Sequence, residues 1–150
     1  MNDPLILLKT IISGITIPPE AGGPAISYLV RIGWLDDKER TTAGELKPQY
    51  TIKALGSGTE GLDANGATSK YRQVYVVNVW CQTCGSYENA AKLNWKMVNE
   101  LLTAIKASRK SADANTRYFE VVNDGQDLTD GTITPPVRRT QILVAAHGFR

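Results

Sequence analysis

Ile26, Tyr28, Val30, Ile32 and Trp34 alternate with Ser27, Arg31 and Gly33, and this run constrains the fold more than any other. A period of two places these five large apolar groups on one side of an extended backbone, the pattern of a half-buried strand. A sheet with one buried face needs something apolar laid on it. The chain supplies a candidate in Ser86–Ser108, where Ala91, Trp95, Val98, Leu102 and Ile105 recur at helical spacing. Lys92, Lys96, Asn99 and Lys106 fall mostly on the other side, so the segment is predicted to be an amphipathic helix packed on the sheet.

The remaining elements follow from local signals. Asp3-Pro4 reads as an N-cap with proline at the first helical position. Leu5, Leu8, Ile12 and Ile15 keep helical spacing up to and past Gly14. Pro18-Pro19 and Gly22-Gly23-Pro24 mark a stiff turn, and Asp36–Glu45 a polar loop. Tyr50, Ile52 and Ala54 predict a second strand, Tyr71–Trp80 a third, Tyr118–Val122 a fourth and Arg139–Ala146 a fifth. Two segments, 56–70 and 123–136, are rich in Gly, Asp or Asn and poor in apolar residues, and are predicted to be long loops. Consecutive strands favour hairpins. The expectation is an α+β fold in a single domain over 1–150. It has a mainly antiparallel sheet of about five strands, one long packed helix and a short N-terminal helix.

Hydrophobic content of 42%, charged content of 21% and a formal net charge of +2 exclude disordered, collagen-like and coiled-coil classes. They also leave no basic stripe for a nucleic acid. Leu5–Leu8 is too short for a signal core or a membrane span, so cytoplasmic synthesis, reduced thiols and no membrane partner are expected.

Several motifs touch on chemistry. Gly56-Ser57-Gly58-Thr59-Glu60-Gly61 matches G-x-G-x-x-G, but no helical periodicity follows to present amides to a pyrophosphate. It reads as loop, with no dinucleotide or other cofactor. Asp124, Asp127 and Asp130 lack the alternation of a calcium loop. His147 is the only histidine, and with two cysteines it falls short of four zinc ligands. Tyr28, Trp34, Tyr50, Tyr71, Tyr75 and Trp80 lie on strand positions, where core packing outranks base stacking. The sharpest motif is Trp80-Cys81-Gln82-Thr83-Cys84 between a strand and a helix. It matches the W-C-x-x-C of thioredoxin-like proteins, whose first thiol is acidified at a helix N-terminus. The elements before it, and only one strand's length after Pro135, do not follow that fold. A thiol–disulfide oxidoreductase using Cys81 and Cys84 is the alternative reading.

The whole-chain order resembles the tail-terminator, or tail-completion, proteins at the neck of long-tailed phages and archaeal tailed viruses. The likeness rests on Asp3–Gly14, Ile26–Trp34, Tyr71–Trp80 leading into Ser86–Ser108, and the closing Arg138–Ala146. The resemblance implies a virion structural protein without catalytic residues. Identical subunits, typically six, would form a ring that stops tail-tube growth and offers a face to the head connector. It makes the two long segments candidates for inter-ring contact, through Gly58, Glu60, Asp63, Asp127 and Asp130. It also makes Arg138 and Arg139, with Arg150, candidates to face DNA in the channel. An unassigned binding module is the third reading.

Overall fold

The structure is a computed structural model that describes residues 3–19, 25–41, 44–61, 69–82, 87–108, 116–129 and 137–149. It confirms the α+β class, with the order α1 (Pro4–Ser13), β1 (Leu29–Ile32), β2 (Gln49–Gly61), β3 (Ser69–Cys81), α2 (Tyr87–Ala107), β4 (Thr116–Asp127), β5 (Arg138–Phe149). The five strands form one sheet ordered β1-β2-β3-β5-β4, antiparallel except for β1 against β2.

The capping residues act as read from the sequence. Asp3 Oδ1 accepts a hydrogen bond from the Leu5 amide at 2.9 Å, Pro4 opens the helix, and the chain leaves it at Gly14. Leu8 and Ile12 pack against Tyr50, Ile52, Tyr75, Val77, Val79, Ile142, Val144 and Ala146, with Met97, Leu101 and Ile105 of α2 completing the cluster. In the register, Tyr50 stands opposite Val79, Val79 opposite Thr140, and Ile52–Val77–Ile142 form the next row. All these residues therefore share one face, and both helices cover it. Each buried aliphatic contributes roughly 1.5–3 kcal/mol relative to exposure. Tyr50, fully buried, donates its hydroxyl to the Met97 carbonyl at 2.8 Å and meets the Tyr28 ring edge-on at 5.4 Å. Burial pushes the Tyr50 phenol strongly upward from its ordinary value.

Four expectations need correction. The alternating run 26–34 yields only the four residues Leu29–Ile32 as strand, parallel to β2. Gly33, at φ 110°, ends it, and the chain crosses to the opposite face before returning as β2. That crossing is pinned by buried amides. Gln49 Oε1 accepts from the Asp36 amide, its Nε2 donates to the Asp36 carbonyl, and Gln82 Oε1 accepts from the Leu46 amide. Leu35 and Leu46 close a small second core with Trp80 and Val137. Parallel pairing needs such a long connection, which a tight hairpin cannot provide.

The 56–70 segment is not a loop throughout: 56–61 and 69–70 continue β2 and β3 as a paired hairpin arm out to Gly61↔Ser69, and 62–68 lie outside the described residues. Likewise 123–127 belong to β4, and 130–136 lie outside. Backbone pairing with a neighbouring strand holds these stretches extended. Rich in glycine and polar residues, they carry no alternation of their own for periodicity to reveal. Finally, α2 buries Ala90, Asn94, Met97, Leu101 and Ile105, while Trp95 is 68% exposed. The buried stripe lies about a third of a turn away from the one centred on Ala91 and Trp95.

Candidate functional site

The face opposite the helices is partly dressed by side chains that the register brings together. Trp80 stands opposite Arg139 on β5, and Trp34 folds over from the crossing segment. The two indoles meet edge-on at 5.1 Å, and the Arg139 guanidinium lies 4.9 Å and 5.0 Å from the Trp34 and Trp80 rings. Arg139 Nε donates to Asn78 Oδ1 at 3.0 Å, and Trp80 Nε1 donates to Thr51 Oγ1 at 2.9 Å. Desolvation lowers the Arg139 pKa from its ordinary value. Cation–π contact of this kind stabilises by about 0.5–2 kcal/mol. Trp34 remains 57% exposed, so the cluster presents a rigid aromatic to the outside.

At the opposite end of the sheet, His147 Nε2 lies 2.8 Å from Glu120 Oε2, and its ring stacks on Tyr118 at 4.6 Å. Arg72 is the β3 partner of His147. On the helical side, Glu88, Ala91, Lys92, Trp95 and Lys96 line a shallow depression on the outward face of α2. The ion pair Lys92–Glu88, at 3.3 Å, runs along the helix beside it.

The residues singled out in the sequence separate into two ends. Gly58 and Glu60 lie in the hairpin arm, opposite Arg72 and Lys70, near the end of β5. Asp127 lies at the other end, opposite Thr140. Asp63, Asp130 and Arg150 lie outside the described residues. Asp127 accepts hydrogen bonds from the Thr129 hydroxyl and amide, which, with Arg138 at 3.6 Å, hold its carboxyl below the usual value. Arg138 and Arg139 start β5 side by side on opposite faces. Arg138 points toward Asp127 and Arg139 between the two indoles, so both are engaged with the protein's own groups.

Cys81 ends β3 fully buried, 3.4 Å from the Ala90 carbonyl. Burial pushes its thiol up to about 12, against a smaller pull downward from Asn94 and Arg138. Such a group stays protonated at neutral pH, the reverse of an activated thiolate. Cys84, the second cysteine of the W-C-x-x-C motif, lies outside the described residues. Among the described residues no three His, Cys, Asp or Glu side chains gather as a metal site.

Sequence reasoning missed the Trp34–Arg139–Trp80 stack and the Tyr118–His147–Glu120 group. Both join residues far apart in the chain, and only strand register could have paired them. No protein-family model matches the chain, and none of the curated proteins is similar to it.

Proposed function

We propose that this chain is a ring-forming structural subunit of a virion, a tail-terminator or neck component that caps the tail tube and joins it to the head connector. The observation that carries this reading is the half-covered sheet. Both helices lie on one face, while the outer edges of β2 beyond Ile52 and of β4 pair with no described strand. A ring of identical copies is a head-to-tail contact whose rotation closes, and it requires two different surfaces on each copy. The sheet offers such a pair at its two edges. The hairpin arm with Gly58 and Glu60 and the Asp127 end of β4 lie at opposite ends of the sheet, suited to a tail-tube ring below and a connector above. The role is structural and non-catalytic, and the virion is its location. No described helix is long and apolar enough to cross a membrane.

Light scattering coupled to gel filtration in reducing buffer tests the reading. A species of six times the 16.4 kDa chain mass, seen as rings by electron microscopy, is the expected result. A monomer, both alone and beside polymerising tail-tube protein, refutes it.

A further inference from the structure

The two open edges differ in chemistry. β1 covers β2 only from Gln49 to Ile52, which leaves 53–61 with one unpaired side among the described residues. The charged residues of that stretch are Lys53 at its start and Glu60 near its far end, with Arg72 on the strand beside it and Arg31, paired with Asp36, on β1. Along β4 the sequence carries Arg117 near the start and then three acids, Glu120, Asp124 and Asp127, all three exposed. An open edge of this length is a template for another strand unless something blocks it.

The strand directions also agree. From β2 through β3 and β5 to β4 the sheet has four strands, each antiparallel to the last. With an even count, β2 of a second copy placed beside β4 in the same orientation is antiparallel to it, as pairing favours. The faces agree as well. Lys53 stands opposite Val76, Val76 opposite Leu143, and Glu120 opposite Ala145, two residues along from Leu143. Lys53 and Glu120 therefore project from the same face, the one without helices. A shared sheet would set the lysine of one copy among the carboxylates of the next. The regular run of β4, Tyr118–Val121, lies between its register shifts and is where pairing would start.

We propose that copies of this chain join by extending the sheet, with the outer edge of β4 of one copy against the 53–61 edge of β2 of the next. This rests on the ring reading and names the contact that closes the ring. Opposite charges facing across a strand pair set register and partner, and like charges there are destabilising.

The test is a charge exchange read by light scattering, with circular dichroism confirming that each variant is folded. Lys53→Glu and Glu120→Lys should each shift the assembly toward the 16.4 kDa monomer, and the two together should restore it. Hydrogen exchange provides an independent reading. Outward amides within 53–61 should be protected in the assembly and exchange freely in the Lys53→Glu monomer. An assembly that survives both single reversals, with those amides still exchanging freely, overturns the edge pairing and leaves the ring standing. A chain monomeric at every concentration and beside tail-tube protein overturns both.

Discussion

Replacing Met97 by alanine removes a fully buried side chain from the middle of the α2 stripe, between Asn94 and Leu101. Its neighbours are held by the sheet on one side and α1 on the other, so the site has little room to collapse. A buried Met→Ala change costs about 2–5 kcal/mol, from lost transfer energy and the cavity left behind. For a chain of this size each kcal/mol lowers Tm by roughly 2–4 °C, so a loss on the order of 10 °C is expected. Trp95→Ala, two residues earlier, is the control. Its ring is 68% exposed, and alanine's better helix propensity offsets part of the lost contact, so the change should stay within about 0.5–1 kcal/mol. Urea unfolding of both variants, followed by far-UV circular dichroism and compared at equal m-value, gives the two numbers. Equal costs, or a larger one for Trp95, would refute the orientation assigned to α2.

Three further outcomes follow from single contacts. Tyr50→Phe loses a buried hydrogen bond to Met97 while keeping the ring, and should cost about 1 kcal/mol in the same assay. Thr51→Val leaves the buried Trp80 indole N–H without its acceptor and should cost about 1–3 kcal/mol, with a change in tryptophan fluorescence. The Cys81 thiol is raised in the folded state from 9.0 to about 12, so the stability it contributes is present below pH 9 and is lost as pH rises towards 12. Cys81→Ala should flatten the decline of Tm over that window, and an unchanged slope would count against the burial of this thiol.

Local chemistry on the page of the sequence decided which segments are helix and which are strand. Asp3-Pro4, the Val- and Tyr-rich 71–80 run and the apolar recurrence over 86–108 each carry their signal within a few residues. The α+β class follows from their order. The proposed assembly surface was much less legible. The outer hairpin arm and the 123–127 stretch of β4 owe their extension to a partner strand, which glycines and polar residues do not announce. The rotation of α2 was hidden because Trp95 and Met97 are both apolar, and only the packed sheet and α1 decide which of them is covered. Strand order, the parallel seating of β1, and the pairing of Arg139 with Trp34 and Trp80 are set by contacts between distant residues. Composition and periodicity record what a residue prefers, whereas its partner is chosen by the tertiary fold.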